Sequence, residues 1–155
     1  MKKKTNNLDN TDYKIIDLLQ IDGRMPNTAI AKKLGISEST VRSRLTRLIE
    51  EDFVQIVAVS NPFKIGYETI GIIKLRVDIK KMDEVIGELQ RIKSVWFIVH
   101  TTGESDIYAE FVAESIEALN DLLYSQIYKI DGILHAETSL ILKYIKRNYN
   151  WLADA

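Results

Sequence analysis

The sequence predicts an α+β chain, with helices alone in the first third and a four-stranded sheet carrying two helices in the rest. Three observations support this. Residues 12–51 hold three short apolar runs at helical spacing, separated near Gly23 and Gly35. Residues 69–145 hold four strand-like runs and two further helical stripes, in the order strand, helix, strand, strand, helix, strand. No apolar run approaches the ~18–20 residues a membrane span requires.

In the first helix Tyr13, Ile15, Ile16, Leu18 and Leu19 fall near helical spacing. Asp9 or Asn10 can cap its start, and Gly23 closes its end. A second helix is expected over 28–34, capped by Asn27 after Pro26, with Ala29, Ile30, Ala31 and Leu34 facing inward. Gly35 suits the left-handed position past its end. The third helix takes Ser37 as N-cap and runs to about Glu51, with Val41, Leu45, Leu48 and Ile49 as its apolar stripe. At about 100° per residue, Ser39, Thr40, Ser43 and Arg47 lie opposite that stripe; Arg42 and Thr46 flank it on one side and Arg44 on the other. Residues 53–59 read as a strand that opens a link through Asn61, Pro62 and Gly66.

Beyond the link, strands are expected over 69–77, 95–101, 106–113 and 133–145. Met82, Val85, Ile86, Leu89 and Ile92 form one helical stripe; Ile116, Leu119, Leu123 and Ile127 form the other. This βαββαβ order is that of a ferredoxin-like sheet with both helices on one face. Alternation within the strands leaves apolar residues on the second face as well. Ile70 and Ile72 oppose Ile73, Leu75 and Val77, while Trp96 and Ile98 oppose Val95, Phe97 and Val99. Two apolar faces with helices for one imply a covering partner, most simply a second copy of the chain.

Composition narrows the class. Hydrophobic residues make up 46% and charged residues 28%, which suits a globular and not a disordered chain. The absence of cysteine excludes disulfides and thiolate metal sites and makes an intracellular, cytoplasmic setting the expectation. The basic start of the chain has no apolar stretch after it, so no secretory leader is expected. Net charge is −1, yet residues 1–60 carry 10 Lys and Arg against 8 Asp and Glu, and residues 61–155 carry 11 against 14. His100 and His135 stand apart from any acidic or thiol cluster, so no metal, cofactor or catalytic set is expected.

Residues 27–50 carry the most specific signal. Two short helices abut across Gly35, and the second pairs an apolar stripe with a face of Ser, Thr and Arg. That is a helix-turn-helix, whose second helix enters a DNA groove. Arg42 and Arg47 can pair with phosphates or with the O6/N7 edge of guanine; Ser39, Thr40 and Ser43 can contact either phosphates or bases, Arg44 suits the backbone, and Ser37 and Thr46 complete the expected DNA-binding set. Arg47→Ala is accordingly expected to weaken operator binding. Lys2, Lys3 and Lys4 can add phosphate contacts, with a solvated tail the simpler reading.

The chain also resembles the Lrp/AsnC family of leucine-responsive and asparagine-synthase regulators. The resemblance rests on Leu8, Asp9, Asp12, Gln20 to Arg24, Asn27, Ala31 to Ser37, Val41 to Leu48, and Asn61 with Pro62. It implies a winged helix-turn-helix over residues 1–60 with a link to about 68, and a ferredoxin-like effector-binding and oligomerisation domain over 69–155. It further implies homodimers that build octamers or related assemblies, and a pseudo-palindromic double-stranded operator. A two-fold dimer would read half-sites about 34–36 Å or a multiple apart.

Family effectors, usually amino acids, bind between dimers near the turn joining the middle strands, here residues 101–106. Ser105 departs from the aromatic frequent in the family at that position. For an amino acid, Asp106 or Glu104 can meet the ammonium group and backbone N–H groups around Gly103 the carboxylate. Thr101, Thr102 and Thr138 add hydroxyls, and Leu140 and Leu142 can face the ligand side chain. The same turn is also ordinary hairpin chemistry, with Asp106 as its cap. Two other readings stay open: a sirohaem decarboxylase-type enzyme, which His100 would serve, and a DNA-organising protein that needs no effector.

Overall fold

The computed structural model describes residues 7–150, which divide into two compact units: 7–59 together with 146–150, and 60–145. Lys2, Lys3 and Lys4 lie outside the described residues.

The first unit is built on α1 (Asn10–Ile21), α2 (Asn27–Leu34) and α3 (Glu38–Glu50). Asp9 is the N-cap of α1 and forms a reciprocal capping box with Asp12. The Asp9 side chain accepts from the Asp12 N–H at 2.9 Å, and the Asp12 side chain accepts from the Asp9 N–H at 3.1 Å. Gly23 does not close this helix; Asp22 does, in extended conformation. Pro26, not Asn27, takes the cap position of α2 and makes no side-chain cap bond. Gly35 adopts φ +67°, the left-handed turn that aims α3 away from α2.

Ile15, Ile16, Leu19, Ile30, Ala31, Val41 and Leu48 form the core, with Leu45, Phe53 and Val54 packed against it. Tyr13 and Ile49 stay largely outside it. The expected strand over 53–59 does not form. The segment leaves α3 through Asp52 at φ +60° and runs on unpaired, with Ile56, Val57 and Val59 exposed. An antiparallel wing needs a second strand, and the described residues of this unit offer none.

The second unit follows βαββαβ order: β1 (Thr69–Val77), α4 (Met82–Arg91), β2 (Val95–His100), β3 (Ile107–Ala113), α5 (Ile116–Asp121) and β4 (Ile133–Leu140). The sheet order is β2-β3-β1-β4, and every pairing is antiparallel. Ile73, Leu75, Ile107, Ala109 and Phe111 meet Val85, Leu89, Leu119, Leu122 and Ile127 in one core. Gly71 is needed where the Phe111 ring crosses β1. A Cβ there would lie 2.6 Å from that ring and 2.5 Å from the Ser139 carbonyl oxygen.

Three expectations change in this unit. A bulge at Trp96 breaks the alternation of β2. Val95 pairs with Phe111 but Phe97 pairs with Glu110, so Val95 and Ile98 share the helix side while Phe97 and Val99 share the other. The helix after Ile116 widens into a π-helical turn over Leu122–Gln126. Leu122 is buried there, and Ile116 is exposed. Finally, β4 ends at Leu140 because β1 begins at Thr69 and leaves residues 142–145 no partner.

Candidate functional site

The exposed side of α3 is set by its cap and its stripe. The Ser37 hydroxyl accepts from the Thr40 N–H at 3.1 Å, and bonds to the Ser39 and Thr40 hydroxyls at 2.8 Å each. Ser37 is therefore occupied in starting the helix. With Val41 and Leu48 fully buried, Ser39, Arg42, Ser43, Thr46 and Glu50 are left together on the solvent side.

The arginines divide. Arg44 Nη1 donates to Asp9 Oδ2 at 2.7 Å and to Asp12 Oδ1 at 2.9 Å. Arg47 Nη2 donates to Asp12 Oδ2 at 2.5 Å. Arg44 and Arg47 thus tie α3 to the first turn of α1, and Arg47 does not point away from the fold as its helical-wheel position suggested. Only Arg42 stays well out in solvent, paired one turn back with Glu38 at 2.8 Å.

Asp12 anchors this cluster. Its side chain is 1% exposed and accepts from the Asp9 N–H, Arg44 and Arg47. Burial is the largest influence on its carboxyl and pushes its pKa up; the Asp9 N–H and the two guanidiniums outweigh it and hold the group below the ordinary carboxylate value. The Asp9 carboxyl is lowered too, first by the Asp12 N–H and then by Arg44. The sequence offers Asp9 as a possible cap and does not place Asp12 in the site. The signal was there: Asp12 lies three, four and seven residues before Ile15, Ile16 and Leu19, an acid on the inward stripe.

In the second unit the 101–106 turn is closely tied. The Thr101 N–H donates to the Asp106 carbonyl and the Asp106 N–H to the Leu75 carbonyl, each at 2.8 Å. The Thr101 hydroxyl donates to the Ser105 carbonyl at 2.8 Å. Asp106 Oδ2 accepts from the Val77 N–H at 2.9 Å, so this carboxylate clips the turn to the end of β1. Thr102, Gly103 and Glu104 form the exposed tip, with Gly103 at φ +114°, where a side chain would be strained.

The other expected effector residues are not beside that tip within one chain. Thr138 pairs with Ile73, and Leu140 with Gly71, on the edge strand across β1 from β3. Leu140 lies toward the end of the sheet remote from the turn, and Leu142 lies past β4 at 92% exposed. Thr138 does carry a buried hydroxyl with no hydrogen-bond partner. His100 and His135 lie on opposite edge strands, and no cluster of three or more metal-ligating side chains occurs among the described residues.

A three-helix unit exposing the polar face of its third helix, joined to a βαββαβ unit, defines a helix-turn-helix DNA-binding regulator with a second, sensory domain. Comparison with known proteins specifies the kind. Residues 8–49 match the AsnC-type helix-turn-helix domain, and residues 71–151 match the Lrp/AsnC ligand binding domain. The chain is 36% identical over 143 residues to an uncharacterised HTH-type transcriptional regulator of Pyrococcus abyssi, covering 92% of this chain and 90% of that one. It is 34% identical over 140 residues to the HTH-type transcriptional regulator LrpA of Pyrococcus horikoshii, covering 90% and 99%. Among solved structures, AsnC of E. coli superposes with a TM-score of 0.79 at 24% identity, over 91% of this chain and 96% of that one. A transcriptional regulator of Neisseria meningitidis in complex with L-Met superposes with a TM-score of 0.82 at 23% identity, over 92% and 95%.

The chain belongs to the Lrp/AsnC family. It is a DNA-binding transcriptional regulator that carries a ligand-binding domain. No helix among the described residues is long and apolar enough to cross a membrane.

Proposed function

We propose that this regulator reads a pseudo-palindromic operator as a homodimer or higher assembly such as an octamer, and that an amino acid modulates that binding. The observation that carries the DNA assignment is the division of α3. Ser39, Arg42, Ser43 and Thr46 form the reading face, while Arg44 and Arg47 are engaged by Asp9 and Asp12 and fix the helix in place. A gel-shift titration tests this: Arg42→Ala weakens operator binding at unchanged melting temperature, whereas Arg47→Ala lowers the melting temperature first. Equal affinity of Arg42→Ala and wild type would overturn the assignment.

Dimer formation is supported by the face of the sheet away from the helices, where Phe97, Val99, Tyr108, Val112 and Ile72 cluster. Phe97 packs edge-on against Tyr108 with ring centroids 6.4 Å apart. At the effector turn, Asp106 is committed to Val77, which leaves Glu104 as the free carboxylate for an ammonium group and the tip backbone for a carboxylate. The L-Met bound by the similarly folded N. meningitidis regulator supports the amino-acid class. A thermal-shift screen of the twenty amino acids should show at least one stabilising ligand whose effect Glu104→Gln abolishes; silence across the set would favour an effector-independent DNA-organising role. The protein works in the cytoplasm by binding and not by catalysis; tight binding of sirohaem by the purified protein would reverse that reading.

A further inference from the structure

We propose that Glu38 sets the DNA selectivity of α3 by occupying Arg42; the inference rests on α3 being the reading helix. The first unit is close to neutral: residues 7–59 and 146–150 carry 9 Lys and Arg against 8 Asp and Glu. Its three helix-α3 guanidiniums are all engaged, Arg44 and Arg47 by the α1 carboxylates and Arg42 by Glu38 at 2.8 Å. Glu38, Ser39, Arg42, Ser43, Thr46 and Glu50 line one shallow concavity with the Asp12-bound Arg47 at its side, so a carboxylate stands inside the surface that meets DNA.

A carboxylate there distinguishes the two kinds of DNA contact. A guanidinium has five N–H donors. With one committed to Glu38 Oε1, others remain for the O6 and N7 of guanine, and the neutral base edge leaves the ion pair in place. The second Glu38 oxygen is then available to the N4 amino group of cytosine, so Glu38 and Arg42 together complement a C·G pair. A phosphate instead brings a second anion to the same guanidinium, beside Glu38, and is repelled. The penalty falls on every phosphate and on no base edge. Glu38 thereby suppresses sequence-independent binding, which is almost wholly a phosphate interaction.

The test uses the full chain, a duplex enriched by the wild-type protein from a random library, and a scrambled duplex of equal length. Affinities are read by fluorescence anisotropy at several salt concentrations. Glu38→Gln should tighten the scrambled duplex about threefold, the order of an exposed ion pair, without tightening the enriched one, so the selectivity ratio falls. The salt dependence on the scrambled duplex should steepen by roughly one phosphate contact. In an Arg42→Ala background the same substitution should have no effect. A Glu38 that serves only the helix start would change both duplexes by one factor, and that result overturns the proposal. So does an effect that persists without Arg42, which would be bulk charge alone. If Arg42→Ala leaves both affinities unchanged, the reading-helix assignment falls together with this inference.

Discussion

The two units are held by different means. The sheet unit is an apolar sandwich in which Phe111 lies fully buried against Gly71 and the helices. The helical unit has a smaller apolar core and adds a buried carboxylate, Asp12, that joins two helices through Arg44 and Arg47. In the sheet unit the apolar core and the residues expected to bind are separate, although Asp106 also clips the turn to β1. In the helical unit they alternate along one helix, so Arg42 meets solvent while Arg44 and Arg47 hold the fold. Residue type alone therefore does not assign an arginine in such a helix.

Substitutions can break this contrast at either end. Phe111→Ala should cost the sheet unit about 4 kcal/mol, through lost burial and the cavity left behind. Hydrogen exchange should show the loss of protection confined to residues 60–145, and protection lost equally in both units would mean that they fold as one. Asp12→Ala should cost the helical unit about 3 kcal/mol, because two guanidiniums lose their shared partner. Chemical denaturation measures the cost, and an effect below that of Ser37→Ala would show the cluster to be mere surface decoration.

The same carboxylate predicts an acid response. Its pKa is lowered in the fold relative to the ordinary carboxylate value of 3.8, so its stabilisation is fully present above that value. It is lost as pH falls through the lower folded-state value. The melting temperature of wild type should drop below about pH 4 by more than that of Asp12→Asn, which lacks the titrating group. Arg42→Ala should cost about 1.5 kcal/mol of operator affinity and nothing in stability, the inverse of Asp12→Ala. Ser37→Ala is the smallest perturbation, about 1 kcal/mol of helix stability from the lost cap.

Much of the architecture was legible in the sequence. Gly35 marked the turn, Ser37 the start of α3, and the stripe of α4 its whole length. The failures share a cause. Trp96 reads as one more alternating residue, and only its pairing with β3 shows that it is extra. The run 53–59 has strand composition but no strand beside it, and 142–145 continue a strand whose neighbour has ended. Strand propensity describes a residue's fit to a pleated surface; whether that surface exists depends on distant residues.

By itself the sequence determined the order of the helices and of the four paired strands, most of each buried stripe and which helix carries the Ser, Thr and Arg face, because these follow from local periodicity and capping. Tertiary structure decided which arginine remains outside, which carboxylate of the 101–106 turn stays free, and which strand residues find partners. Those outcomes depend on charges and backbone groups brought together from far apart along the chain: Asp12 with Arg47, Asp106 with Val77, Gly71 with Leu140. An ion pair or a ladder bond forms where two groups arrive within about 3 Å of each other, and only the fold sets that distance.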